Sequence, residues 1–146
     1  MSRWPSLCLV ALVTVVAPLA GCADPARREA TSLTDAVDRY RQASNGAGRQ
    51  AEAQLVAAIA CTDRRVCDAK QACLAAIEPT VRSLELKDEV TRRLEDLEQK
   101  RLDPTSPEAR ALPGKLDQAE ELLKDGRAKM TVCDARLRDL RMSPGT

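Results

Sequence analysis

The chain has 146 residues, 23 of them Lys or Arg and 22 Asp or Glu, and it contains no histidine. Such an even charge balance disfavours nucleic-acid binding and electrostatic attachment to anionic lipid, because both normally require a basic excess. With one Trp, one Tyr and no Phe, the sequence also lacks the aromatic residues that line most ligand pockets and stacking surfaces, so a core of aliphatic side chains between packed helices is expected.

The first 21 residues have the layout of a secretory signal peptide. Arg3 supplies an early positive charge, and an apolar run extends from Leu7 to Leu19. This run has about 13 residues, whereas a helix that crosses a bilayer needs about 20. We therefore predict that residues 1–21 are a cleaved signal and not a membrane span.

The signal ends in Leu19, Ala20, Gly21 and Cys22. These residues resemble the lipobox of bacterial lipoproteins, in which a leucine, a small residue and a glycine or alanine precede a cysteine. The resemblance implies cleavage between Gly21 and Cys22, and a diacylglycerol and an N-terminal acyl chain such as palmitate on Cys22. Each buried methylene contributes about 0.8 kcal/mol, so two or three chains anchor a protein firmly.

The resemblance therefore implies a membrane-anchored, extracytoplasmic protein of the bacterial cell envelope. It leaves the choice between inner and outer membrane open. The alternative is an ordinary signal that is cut after Ala20 or Gly21 and leaves Cys22 as a free thiol.

Beyond the signal, the sequence divides into a tether, a helical domain and a tail. Residues 22–32 are polar and contain one proline, which is typical of a short link between a lipid and a fold. Residues 33–141 show helical periodicity and no strand-like alternation. Residues 142–146 are predicted to be disordered. The expected fold class is all-α, a disulfide-stapled helical hairpin or small bundle of about three helical segments.

Three interruptions are expected in the helical domain. The stretch 44–49 contains two glycines, each costing about 1 kcal/mol inside a helix, and predicts a kink or break. Thr62 and Asp63 are good starting residues for the next helix, which Pro79 is expected to interrupt. A turn is predicted at residues 103–114, with a capping box formed by Thr105 and Glu108.

Two helices flank this turn. The first has an apolar stripe, and acid-before-base pairs at four residues' distance on its outer face: Asp88 with Arg92, Glu89 with Arg93, and Asp96 with Lys100. The second is expected to kink or restart at Pro113 and then follows a three-four heptad pattern. Its seam residues are Leu116, Ala119, Leu123, Gly126, Met130, Cys133, Leu137 and Leu140. We favour a seam filled by the chain itself over an intermolecular coiled coil.

Four cysteines remain once Cys8 leaves with the signal and Cys22 carries lipid: Cys61, Cys67, Cys73 and Cys133. An oxidising envelope favours two disulfides, for which three pairings exist. A zinc site is disfavoured because its ligands usually stand two to four residues apart and often include histidine. A redox dithiol is disfavoured because the Cys-x-x-Cys spacing is missing.

Helix geometry narrows the pairing. Two cysteines six residues apart in one helix are separated by about 9 Å along its axis, which argues against Cys67 with Cys73. Aligning two helices across the predicted turn brings Cys73 nearest to Cys133. That pairing leaves Cys61 with Cys67, which requires the chain to bend at Thr62 so that Cys61 lies outside the helix.

Candidate catalytic groups are scarce. The chain has no histidine, no glycine-rich phosphate loop and, if the disulfides form, no free thiol, so we do not expect an enzyme. Asp63, Asp68 and Glu78 are interpreted as solvated helix faces, and Tyr40 as a core residue. No metal is expected, and no cofactor apart from the lipid on Cys22.

The favoured function is a lipid-anchored structural or protein-interaction module whose helices contact another envelope protein or a second copy. The alternative is a small carrier or inhibitor that binds an apolar ligand or a partner segment in a groove between helices.

Overall fold

A computed structural model describes residues 24–142 of this chain. They form four helices, α1 (Pro25–Gln42), α2 (Gly46–Ala58), α3 (Arg64–Glu98) and α4 (Pro107–Met142), and no strand occurs among them. The all-α prediction is confirmed, with one helix more than expected. The signal peptide, Cys22 and tail residues 143–146 lie outside the described residues.

Helix α1 begins within the stretch predicted to be a tether. The Asp24 carboxylate accepts a hydrogen bond from the Ala26 amide at 3.1 Å and caps the helix. Pro25 suits the first helical position, where no amide donor is needed. Residues 25–32 are therefore helical and the tether prediction is wrong for them. Leu33 begins the buried face of α1, not the helix itself.

The break predicted in residues 44–49 is confirmed between α1 and α2. The Asn45 side chain accepts a hydrogen bond from the Gly48 amide at 2.7 Å and caps α2. A Cβ atom at Gly46 would lie 2.9 Å from an Asp88 carboxylate oxygen, so α2 starts in close contact with α3. Gln50 then donates to Glu85 at 3.1 Å, and α2 runs back along α3.

Helix α3 passes through Pro79 without the predicted interruption. A proline in a helix interior removes one backbone hydrogen bond and costs about 3 kcal/mol. Here Pro79 is buried, and α3 packs against α4 on both sides of it. Packing along 35 residues outweighs this local cost.

The start of α4 also differs from the prediction. Ser106, and not Thr105, caps the helix by accepting a hydrogen bond from the Ala109 amide at 3.1 Å. The Thr105 hydroxyl instead donates to Asp103 at 2.8 Å within the turn. Pro107 occupies the first helical position, where proline is favoured, and α4 does not restart at Pro113.

Helices α3 and α4 form an antiparallel hairpin with mostly small side chains at its interface. The Ser83 hydroxyl, fully buried, donates across the interface to the Ala119 carbonyl oxygen at 2.7 Å. A Cβ atom at Gly126 would lie 3.0 Å from the Ala76 carbonyl oxygen and closer still to the Thr80 hydroxyl. The two backbones are therefore close enough at Gly126 that no larger residue fits without movement.

We expect Gly126→Ala to destabilise the fold by about 1–3 kcal/mol, because the added methyl group overpacks the interface. Gly114→Ala is the matched control, since no atom lies within 4 Å of its Cβ position. Alanine suits a helix better than glycine by up to about 1 kcal/mol, so the control should be neutral or stabilising. Urea unfolding followed by circular dichroism measures both changes, and equal effects would contradict the close approach at Gly126.

Candidate functional site

The four cysteines form two disulfides. Cys73 pairs with Cys133 at a Cα–Cα distance of 4.6 Å, and Cys61 pairs with Cys67 at 5.4 Å. This is the pairing predicted from helix geometry. Cys61 precedes Asp63, the N-terminal cap of α3, so it lies outside the helix as that pairing requires.

The two disulfides have different environments. Cys73 and Cys133 are both 0% exposed and belong to the hydrophobic core. They join the last third of α4 to the first half of α3. Cys61 and Cys67 are only partly buried and lie at the start of α3. One disulfide therefore crosslinks the core, whereas the other closes a short segment near the surface.

A carboxylate on α1 holds the connection between α2 and α3. Glu29 accepts hydrogen bonds from the Thr62 amide at 2.8 Å, the Thr62 hydroxyl at 2.6 Å and the Asp63 amide at 3.2 Å. These bonds, chiefly the one from the Thr62 hydroxyl, lower the pKa of Glu29. Sequence reasoning missed this contact, because no spacing rule links residue 29 to residues 62 and 63.

One of the two columns of the α4 heptad seam becomes more exposed toward the α3–α4 turn, whereas Ala119 in the other column is 0% exposed. Leu137 is 2% exposed, Met130 and Leu123 are partly buried, and Leu116 is 40% exposed. The facing column of α3 changes in the same direction, from Cys73 at 0% to Leu94 at 46%. Residues at the same heptad position are therefore buried at one end of the hairpin and exposed at the other.

Leu116 and Leu94 are exposed because α1 and α2 cover only part of the α3–α4 hairpin. Helix α1 ends at Gln42, where Arg41 forms an ion pair with Asp134 and approaches Met130, and α2 starts beside Asp88. Within residues 24–142, no helix covers the hairpin farther toward its turn. Near the turn, Val90, Leu112 and Ala119 are still buried between α3 and α4, so only the column that contains Leu116 and Leu123 is left uncovered.

We name the uncovered apolar residues Leu94, Leu116 and Leu123 the distal strip. Charged residues of both signs surround Leu123 in a shallow depression, namely Lys87, Glu120, Glu121, Lys124 and Arg127. Sequence reasoning identified Leu116 and Leu123 as seam residues and placed Leu94 in the apolar stripe. The sequence alone did not reveal that these three leucines are left uncovered by the other helices.

Ion pairs also join α3 to α4 near the turn of the hairpin. Lys115 bonds Glu89 at 2.5 Å, and Arg93 bonds Glu108 at 2.7 Å. These contacts replace the pairs predicted along α3: among the described residues, Asp88, Glu89 and Asp96 form no ion pair with Arg92, Arg93 or Lys100 respectively. Glu89 and Arg93 pair with α4 instead of with each other, and Lys100 lies beyond the end of α3, where its φ of 58° takes it out of the helical spacing.

A surface cleft of about 340 Å³ lies where α1 starts, α3 starts and α4 ends. Ala30, Val66 and Leu140 give it apolar walls, and Arg27 and Arg65 are among the charged residues at its rim. The cleft is at the opposite end of the hairpin from the α3–α4 turn.

Tyr40 and the acids near the cysteines behave as structural groups. Tyr40 is 3% exposed, and its hydroxyl, close to Thr80, makes no hydrogen bond of ordinary geometry to the described residues. Burial raises the pKa of Tyr40. Asp68 and Glu78 are exposed, and Asp63 caps α3.

Within residues 24–142, no helix is long and apolar enough to cross a membrane. No group of three or more potential metal-ligating side chains lies together there. Neither the protein-family models nor the curated proteins nor the solved structures include a match to this chain.

Replacing Cys73 and Cys133 together by alanine should cost about 4 kcal/mol of stability, because their bond spans 60 residues of chain. Replacing Cys61 and Cys67 together should cost about 2 kcal/mol, since their bond spans only 6 residues. Guanidinium unfolding of the two double variants measures the difference. Equal losses would contradict the assignment of Cys73–Cys133 as the main crosslink.

We expect Glu29→Gln to destabilise the protein at neutral pH and much less in acid. The folded-state pKa of Glu29 is lowered from 4.5, so its contribution is present above about 4.5 and is lost as pH falls through the folded pKa. Urea unfolding of both chains at pH 7 and pH 3 measures this. The exposed Glu78→Gln is the control, and a gap between Glu29→Gln and wild type that stays constant with pH would contradict the role of the carboxylate.

Proposed function

We propose that this protein is a lipid-anchored envelope module that binds an α-helix of a partner protein along its distal strip. The observation that carries the proposal is the change in burial along one heptad column, from Leu137 at 2% exposed to Leu116 at 40%. Exposed apolar positions that continue a buried seam are typical of an interface with another chain.

The anchor follows from the lipobox resemblance of Leu19 to Cys22. Cys22 lies two residues before Asp24, which lines the cleft at the covered end of the hairpin together with Asp63 and Leu140. Lipid on Cys22 would hold that end at the membrane surface. The 35 residues of α3 extend about 52 Å at 1.5 Å per residue, so the α3–α4 turn would project well away from the bilayer.

A helix is the partner element that fits the distal strip best. Nearer the anchor, α1 occupies the same groove and packs its own apolar face against Cys73, Cys133 and Leu137. The strip continues that groove beyond the end of α1. Since Lys87, Glu120 and Arg127 flank it, the partner helix should be amphipathic, with charges of both signs beside its apolar face.

The proposal assigns no catalysis to the distal strip, and it includes no nucleic-acid binding and no cofactor apart from the lipid. It is supported by the absence of histidine from the sequence and by the even charge balance.

A carrier of small apolar ligands is a second candidate, supported by the cleft of about 340 Å³ with Ala30, Val66 and Leu140 in its walls. Its volume is at the lower end of the range for ligand pockets. Native mass spectrometry of the purified chain should then show a bound apolar molecule that Ala30→Phe displaces.

Photo-crosslinking in native membranes tests the interaction surface. A benzoylphenylalanine in place of Leu116 should crosslink to a protein, because this side chain is 40% exposed in the groove. The matched control is Val132, which is on the same helix and 52% exposed but is not part of the heptad seam. Mass spectrometry of the adduct identifies the partner as another protein or a second copy.

Adducts at both positions, or at neither, would contradict a binding surface along the distal strip. The anchor is tested separately by the mass of the mature N-terminal peptide. Acyl mass on Cys22 is expected, and a soluble product that begins after Ala20 or Gly21 without acyl mass would refute the anchor and leave the strip untouched.

A further inference from the structure

The environment of the Cys61–Cys67 disulfide differs from that of a purely structural crosslink. Both residues are partly exposed, whereas Cys73 and Cys133 are 0% exposed. A thiol in solution must reach a disulfide sulfur in line with the S–S bond to exchange with it, so burial protects the second disulfide. Cys61 packs partly against the core, but neither residue of the Cys61–Cys67 disulfide is buried, so a thiol in solution has partial access to it.

The two sulfurs of this disulfide are not equivalent. Cys67 is in the first turn of α3, where its amide donates to the Asp63 carbonyl oxygen at 3.0 Å. Cys61 lies before the helix in an irregular segment. The amino end of a helix carries partial positive charge and stabilises a thiolate there. Cys67 is therefore the better leaving group, and Cys61 the sulfur that an incoming thiolate would bind.

Two basic residues lie beside Cys67 on α3. Arg64 and Lys70 are each three residues from Cys67, one about 60° to either side of it around the helix axis. Lys70 donates to the Ile59 carbonyl oxygen at 2.7 Å, which fixes its ammonium group beside the segment that carries Cys61. A negative charge released on Cys67 would thus form next to cations.

Opening this disulfide would leave the domain held together by other contacts. Glu29 bonds Thr62 and Asp63, Lys70 bonds Ile59, and Cys73–Cys133 crosslinks α3 to α4 in the core. The chain therefore carries one disulfide suited to stability and one that is able to open without unfolding the domain.

We propose that Cys61–Cys67 is a thiol–disulfide exchange site whose substrate is a dithiol outside the cytoplasm. One thiolate of the dithiol attacks the Cys61 sulfur, forms a mixed disulfide and displaces Cys67 as a thiolate. The second thiol of the dithiol then attacks its own mixed-disulfide sulfur and releases Cys61. The dithiol is oxidised to a disulfide, and the two electrons and two protons that it gives up convert Cys61 and Cys67 to thiols. The inference does not depend on the distal strip or on lipid at Cys22, but the location of the dithiol outside the cytoplasm rests on export by the predicted signal peptide.

The direction of attack is tested on the purified oxidised chain with glutathione as a monothiol probe. Free thiols are quenched at intervals with N-ethylmaleimide, and trypsin separates the cysteines into peptides 50–64, 66–70, 71–82 and 130–136. Glutathione should appear on Cys61 and N-ethylmaleimide on Cys67, with the opposite labelling about tenfold rarer. Equal labelling of the two, or opening of Cys73–Cys133 at a comparable rate, would overturn the proposal.

Charge variants test the stabilisation of the Cys67 thiolate. Arg64→Gln and Lys70→Gln should each slow the exchange several-fold, by roughly the effect of a cation beside a thiolate. Arg64→Lys should retain the wild-type rate, because it keeps the charge. Lys129→Gln on α4 is the matched control and should have no effect. A loss in Arg64→Lys equal to that in Arg64→Gln would indicate a structural role and refute the charge mechanism.

The same trapping in intact cells that express the full-length chain decides whether exchange occurs there. A reduced fraction at Cys61 and Cys67, with Cys73 and Cys133 fully oxidised, is expected. A Cys67→Ala chain distinguishes the source of the dithiol: a large adduct on a non-reducing gel indicates a protein, and a small mass increase on Cys61 indicates a low-molecular-weight thiol. Full oxidation of all four cysteines in wild-type cells, with no adduct in Cys67→Ala, would make Cys61–Cys67 a second structural crosslink.

Discussion

The close packing of α3 against α4 is the contact on which the rest of the structure depends. Small residues such as Ala76, Ser83 and Gly126 allow the two backbones to approach, and Cys73–Cys133 crosslinks them in the core. Among residues 24–142, Tyr40 supplies the one buried aromatic ring, so the core gains little from large side chains. A covalent bond across a 60-residue separation supplies stabilisation of about 4 kcal/mol that such a core lacks, a large part of the 5–15 kcal/mol typical of a domain.

Much of this arrangement was predictable from the sequence, because it follows from repeat geometry. Spacing along a helix disfavours Cys67 with Cys73, and alignment across the turn brings Cys73 nearest to Cys133, so this pairing was the favoured one. It also required the chain to bend at Thr62, which spacing does not specify. The break near Asn45 followed from local glycine chemistry in the same way. Each of these features depends on distances along one or two helices, which the sequence specifies directly.

The errors share a different cause, namely that tertiary packing overrode a local preference. Pro79 and Pro113 disfavour helix, yet α3 and α4 continue through them because each helix is packed against the other. The apolar residues Leu116 and Leu123 fit the seam perfectly well by spacing, but burial depends on where α1 ends, and that end is set by Asn45 and its glycines far away in the chain. The hydrogen bond between Thr62 and Glu29 forms because α2 runs back along α3 and brings Thr62 close to α1. Hydrophobic periodicity does not predict such a contact.

The short cover provided by α1 and α2 also links the fold to its proposed role. A longer α1 would have covered more of the groove that contains Leu116 and Leu123. The chain instead turns back at residues 43–45 and leaves one apolar face of the hairpin uncovered toward the α3–α4 turn. An uncovered apolar face lowers the solubility of a protein, since exposed apolar surface promotes non-specific association. Tethering by lipid would lessen that cost, because it confines the face to one distance from the membrane and to the partners found there.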